Sequence, residues 1–175
     1  MFNDHPSQPR FGNAKELLRR RNDANTIVCE SAGKTLQQDI ENAKIVIAGG
    51  YGIGSRENFE LLYRLAELVG GKVGATRAAV DAGFCDSALM IGITGITIHP
   101  ELYIAVGISG QSQHLAGVKD AQYIISINHD TTAPISQIAE RVIIGDAHTE
   151  VLRLIEQFSS NNTTTENLYE QFLRG

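Results

Sequence analysis

The sequence predicts an open, doubly wound parallel β-sheet with α-helices on both faces. Three observations lead there. Short apolar runs alternate with amphipathic segments from residue 44 onward. The runs are continuously apolar instead of alternating with polar residues, as strands buried on both faces require. Each run also ends in small or polar residues: Gly49-Gly50, Thr76-Arg77, Thr94-Gly95, Ser109-Gly110, Asn128 and Asp146. Ordinary loop chemistry would scatter such residues over both ends of the strands. Gathered at the carboxyl ends, they form one polar edge, the place where open α/β sheets bind ligands.

The elements follow in order. Residues 35–42 read as a short helix capped by Thr35, with Leu36 and Ile40 on one face. Ile45-Val46-Ile47-Ala48 reads as a buried strand running into a Gly49-Gly50 turn. Residues 58–69 carry Leu61, Leu62, Leu65, Leu68 and Val69 at helical spacing, and Gly70-Gly71 stops them. Val73-Gly74-Ala75 is a short strand, residues 77–82 a short helix, and Met90-Ile91-Gly92-Ile93 a third apolar stretch of less regular form. Residues 102–108 give the strongest strand, followed by a helix over 111–117. A strand over 123–127, a helix over 135–140, a strand over 142–144 and an amphipathic helix over 148–158 close the pattern. Three regions result. Residues 1–43 are a polar N-terminal extension, partly helical near 14–20; residues 44–158 are the domain; residues 159–175 are a flexible tail opened by a run of Ser, Asn and Thr.

Composition narrows the function. A chain of 175 residues suits one domain with a sizeable core, and 42% apolar with 20% charged residues is ordinary for a globular protein. The net charge of -5 argues against nucleic acid as a partner. No apolar run reaches the length of a membrane span, and the N-terminus has no signal-peptide core. A cytoplasmic protein without membrane insertion is the expectation. Cys29 and Cys85 stand far apart in no CxxC spacing, so two inert thiols and no metal site are expected. The glycines cluster between Gly49 and Gly117, which implies turns where backbone approaches something closely.

Several residues on the polar edge are candidates for binding. Gly107-Ile108-Ser109-Gly110 lies between the strongest strand and a helix. Such a turn offers free N–H groups and a helix dipole to a phosphate, and Ser109 adds a hydroxyl; a tight turn without a ligand also wants glycine. His114 shares a helix face with Gly110 and would point at whatever the turn holds, although a lone histidine is more often packed. Arg77 is either a surface cation or one aimed at an electron-rich ring. Thr94 is a strand-end hydroxyl able to bond a ring nitrogen, with Gly95 beside it, and Gln113 precedes His114. Asn128 and Asp146 end strands, a position they also take as local caps.

Two long motifs stand in order: Val73-Gly74-Ala75-Thr76-Arg77-Ala78-Ala79-Val80-Asp81-Ala82-Gly83, then Pro100-Glu101-Leu102-Tyr103-Ile104-Ala105-Val106-Gly107-Ile108-Ser109-Gly110 with Gln113-His114-Leu115-Ala116-Gly117. Over residues 44–158 the chain resembles the FAD-binding domain of the electron-transfer flavoprotein alpha subunit, a Rossmann-like domain related to other FAD- and NAD-binding sheets. The resemblance implies FAD as cofactor. Thr76 and Ser109 would contact the diphosphate, and Arg77 would lie against the isoalloxazine ring. Thr94 would bond near N5, and His114 would face the C2 carbonyl. Asn128 and Asp146 would hold the adenosine end, and Gly107 and Gly110 would let the backbone come close. The resemblance further implies an electron carrier and not a catalyst on its own, since the flavin carries the redox chemistry. Its partners would be a beta-type subunit or a second copy of the chain, together with dehydrogenases.

The chain departs from the family at Tyr51, Ile93 and Ile96, where arginine, glutamine and lysine are usual. These three are expected to cluster at the ring side of the site. A non-redox AMP-, ADP- or dinucleotide-binding or subunit-interaction module is therefore the competing expectation. The family also has a further domain ahead of this one. Roughly 40 residues precede the first strand here, so a stand-alone or truncated form is expected.

Overall fold

The computed structural model describes residues 33–160, 167 and 170–172. The helix expected near 14–20 and the Cys29 thiol lie outside these residues. The chain divides into two compact units, Met1–Lys34 and Thr35–Gly175, and the sheet belongs to the second.

Five parallel strands form that sheet: β1 (Ile45–Gly49), β2 (Lys72–Ala75), β3 (Leu102–Val106), β4 (Tyr123–Asn128) and β5 (Arg141–Ile144), in the order β2-β1-β3-β4-β5. β1 and β3 are buried along their whole length, which is why both read as unbroken apolar runs. Their register pairs Ile47 with Ile104 and Gly49 with Val106, so both strands end at one level. The chain leaves β1 toward β2 and leaves β2 toward β3 on the other side. Because crossovers in parallel sheets are right-handed, this reversal puts the connecting segments on opposite faces.

The helices are α1 (residues 33–41), α2 (Arg56–Val69), α3 (Arg77–Asp81), α4 (Ser112–Leu115), α5 (Pro134–Ile138) and α6 (Ala147–Ser160). α2 starts where the Ser55 hydroxyl accepts the Asn58 N–H at 3.1 Å and stops at Gly70, whose φ of 68° is left-handed. Its stripe of Phe59, Leu62, Leu65 and Val69 is buried against the sheet. α6 packs beside α2 on the same face through Val151, Leu154, Ile155 and Phe158. The short α3, α4 and α5 belong to the crossovers of the opposite face.

Three local expectations change. Thr35, expected to cap the first helix, lies inside α1. The stretch Met90 to Ile93 is no strand: Ala75↔Met90, Ile91↔Ile96 and Ile98↔Val118 are isolated bridges. Within the segment expected to be a flexible tail, Phe172 is buried, its ring 5.1 Å from that of Phe158, and its carbonyl accepts from Arg141. An apolar side chain with a core contact within reach is drawn out of solvent despite its polar neighbours.

Candidate functional site

The strand order reverses between β1 and β3, and a cavity of about 770 Å³ opens there, beyond the carboxyl ends of the strands. Its walls come from the loops that follow β1, β2, β3 and β4. Ligands of doubly wound sheets sit at this position, and the size falls within the range of small-molecule sites.

The floor is made by two loops in backbone contact. Gly52 N–H donates to the Gly107 carbonyl at 2.9 Å, and Gly50 N–H to that of Val106 at 2.9 Å. Gly107 has a φ of 61°, and a Cβ there would lie 2.6 Å from the Gly52 carbonyl carbon. These glycines let the β1 and β3 loops touch each other. Gly110, at a φ of 85°, does the same against Ile135, where a Cβ would lie 2.5 Å from the backbone nitrogen. The close approach expected of Gly107 and Gly110 is thus made to the protein's own backbone.

On the β2 side, Thr76 caps α3 and lines the cavity: its Oγ1 accepts the Ala79 N–H at 3.3 Å. Arg77 is exposed, and its Nε lies 3.4 Å from the Asp81 carboxylate; both side chains line the cavity. The first N–H groups of α3 and α4 have no partner within their helices, and residues from both first turns reach the cavity.

Ile93 and Thr94 are the middle residues of a turn closed by Gly95 N–H to the Gly92 carbonyl at 3.0 Å. Ile93 N–H to the Gln113 carbonyl (2.9 Å) and Ile96 N–H to the Met90 carbonyl (2.8 Å) anchor the turn to α4 and to itself. Ile93, Thr94 and Gln113 line the cavity. Gly95 does not: a Cβ there would meet the Met90 carbonyl at 2.1 Å, so its glycine serves the turn. Ile96 lies outside the cavity as well, 3% exposed in the core. Only Tyr51 and Ile93 of the three departures therefore meet at the site.

His114 lines the cavity but is buried, and both ring nitrogens are occupied within the protein. Nδ1 lies 3.0 Å from the Ile91 carbonyl, which can only accept, so Nδ1 carries the proton. Nε2 lies 2.6 Å from the Tyr103 hydroxyl, which then donates to it. Burial lowers the pKa of His114, against a smaller upward pull from the Ile91 bond, and burial raises that of Tyr103. The pair is neutral. In this arrangement His114 has no ring N–H left for a flavin carbonyl.

At the β4 end, the Asn128 amide donates to the Ile108 carbonyl at 2.8 Å and accepts Asp130 N–H at 3.0 Å. Asn128 lines the cavity and ties its two adjoining loops together. Ser109 is an exposed hydroxyl between them. Asp146 stands outside the lining. Its carboxylate caps α6 by accepting the N–H (3.0 Å) and hydroxyl (2.9 Å) of Thr149, and these bonds hold its pKa down. An aspartate between a strand and a helix serves the helix first when nothing else reaches it. His129 and Asp130 line the cavity at this end and were missed; their place directly after Asn128 was the available signal. Cys85 is a free, half-buried thiol that burial pushes up to about 11, so it stays protonated near neutrality.

Fold and cavity together define an open parallel α/β domain, Rossmann-like, with a cleft at its switch point. Residues 39–119 match the family model described as the electron transfer flavoprotein FAD-binding domain. This segment, a little under half of the chain, belongs to that domain family. It is 51% identical over 124 residues to the electron transfer flavoprotein subunit alpha of Clostridium acetobutylicum, covering 71% of this chain and 37% of that protein. The subunit alpha of Bacillus subtilis is 44% identical over 154 residues, covering 87% and 47%. The mitochondrial subunit alpha of Dictyostelium discoideum is 48% identical over 128 residues, covering 73% and 36%. The chain thus spans less than half the length of these curated relatives. Among the described residues, no helix is long and apolar enough to cross a membrane.

Proposed function

We propose that this chain binds FAD in the cavity at the β1/β3 switch point and works as a carrier of electrons between dehydrogenases and an acceptor, in the cytoplasm. The observation that carries the reading is the convergence of both long motifs on one cavity: Thr76 and Arg77 from the first, Ser109, Gln113 and His114 from the second. The cavity also fits the cofactor in chemistry. It offers hydroxyls at Thr76 and Ser109 and helix-start N–H groups for a diphosphate, and a cation at Arg77. When bound, the flavin would supply the redox chemistry.

In this reading Thr76 and Ser109 hold the diphosphate, while Arg77 and Thr94 face the ring. His114 forms a neutral part of the ring-side wall. Asn128 braces the adenosine end, where His129 and Asp130 face the ligand; Asp146 supports that end only through α6. Residues 44–158 act as the cofactor domain, with a beta-type subunit or a second copy of the chain as partner.

A second reading, a non-redox AMP- or ADP-binding module, is favoured by one observation: both ring nitrogens of His114 are occupied inside the protein. The visible spectrum of the purified chain, before and after incubation with FAD and desalting, separates the two. The carrier retains flavin absorption. A chain that stays colourless yet binds ADP is the nucleotide module, and the carrier reading then fails.

A further inference from the structure

Two large hydrophobic side chains stand out of the core and into the cavity: Tyr51 is 67% exposed and Ile93 71%. Single exposed apolar residues are common and need no explanation. These two differ because they share one cavity and both sit on backbone that is already fixed. Tyr51 opens a single 3-10 turn, Tyr51–Ile53, closed by Gly54 N–H to the Tyr51 carbonyl at 3.1 Å. The next residue, Gly52, is bonded to Gly107 on the cavity floor. Ile93 is pinned by its N–H to the Gln113 carbonyl.

The Tyr51 ring is also braced. It stacks on Phe84 with centroids 5.9 Å apart and planes 21° from parallel. Phe84 covers one face of the phenol, and the exposure of Tyr51 leaves the other open. A braced aromatic face on fixed backbone binds a flat ring with little loss of conformational freedom. Large apolar side chains give the direction. The β4 end of the cavity carries Asn128, His129 and Asp130 with the small Ala133, whereas the β1–β2 end carries Tyr51, Met90, Ile91 and Ile93 beside Thr76, Arg77 and Asp81. Of the two ring systems in a flavin dinucleotide, the larger and more apolar one suits the latter.

We propose that Tyr51, backed by Phe84, and Ile93 grip the isoalloxazine ring of FAD by stacking and apolar contact at the β1–β2 end of the cavity. This inference rests on the FAD reading above. It makes Tyr51 and Ile93 the residues that set preference for a flavin over a plain adenine nucleotide.

The full chain is titrated with FAD and, separately, with ADP, followed by calorimetry and, for FAD, by flavin fluorescence. Tyr51→Ala weakens FAD roughly three- to tenfold, in line with the loss of one aromatic stack, and leaves ADP affinity unchanged. Tyr51→Phe keeps FAD affinity, because the stacking face survives without the hydroxyl. The grip is overturned if Tyr51→Ala binds FAD as tightly as the wild type, or if FAD and ADP affinity fall together. A wild-type chain that takes ADP but no FAD overturns the flavin reading as well. That result differs visibly from a wild type that binds FAD with Tyr51 indifferent.

Discussion

His114 shows how a residue's surroundings decide its chemistry. Its position one turn into a helix after Gly110 suggested a group aimed at the ligand, yet Ile91 and Tyr103 occupy both ring nitrogens. Burial holds its native pKa below the ordinary value, so the neutral form is the stable one. In the unfolded chain the same ring takes up a proton near its usual pKa of about 6.5. Between the lowered native value and the unfolded value, the unfolded state therefore binds more protons, and stability rises with pH. The His114 contribution is complete above this window and is lost as pH falls through it. Asp130 and Asp146 act lower: hydrogen bonds from Thr132 and Thr149 depress both, so their contributions persist above the ordinary carboxylate range and fade only in stronger acid. The urea midpoint should fall as pH drops from about 7 to about 5. His114→Gln should flatten that step while leaving the more acidic limb intact, and an unchanged step would place the proton uptake elsewhere.

At the scale of elements, the contact between the β1 and β3 loops holds the floor of the cavity. Gly107 and Gly70 both have left-handed backbone, at φ 61° and 68°, but only Gly107 is crowded; nothing lies within 4 Å of a Cβ at Gly70. Gly70→Ala therefore carries the backbone strain alone, about 1 kcal/mol. Gly107→Ala carries that strain and must also push the Gly52 backbone away, for a loss of about 2–4 kcal/mol by chemical denaturation. Equal losses would mean that the loop contact yields at no cost. The strands themselves were legible because a parallel sheet buries both faces, so β1 and β3 carry no polar residue to interrupt the run. Residues 90–98 were less so, since isolated bridges impose no periodicity on a sequence. The glycine cluster was readable as close approach, but not what it approaches. Gly107 against Gly52 and Gly110 against Ile135 are contacts between residues far apart in the chain. Asp146 was ambiguous for a related reason: a carboxylate at the start of a helix has one sequence signature whether it meets Thr149 or a ligand.

For the whole molecule, the polar edge was visible because strand direction aligns every carboxyl end, while the cavity lining depended on side-chain placement. Ile96 illustrates the difference: three positions from Ile93, it turns into the core while Ile93 points out, because the Gly92–Gly95 turn reverses the chain between them. The cavity is assembled from four loops and exists only when the sheet is formed, so a ligand that fills it binds the native state and not the unfolded one. Such a ligand adds about 2.7 kcal/mol at a hundredfold excess over its Kd. In a chain of this length that raises Tm by roughly 5–10 °C. In the proposed placement FAD would reach both the Tyr51 end and the Asn128 end, whereas ADP would reach the latter alone. At equal concentration FAD should therefore raise Tm more than ADP, and the difference should shrink in Tyr51→Ala. An ADP shift equal to or larger than the FAD shift would locate all the binding free energy at the β4 end and identify the domain as a nucleotide module. The absence of a shift with either ligand would show that the cavity binds neither.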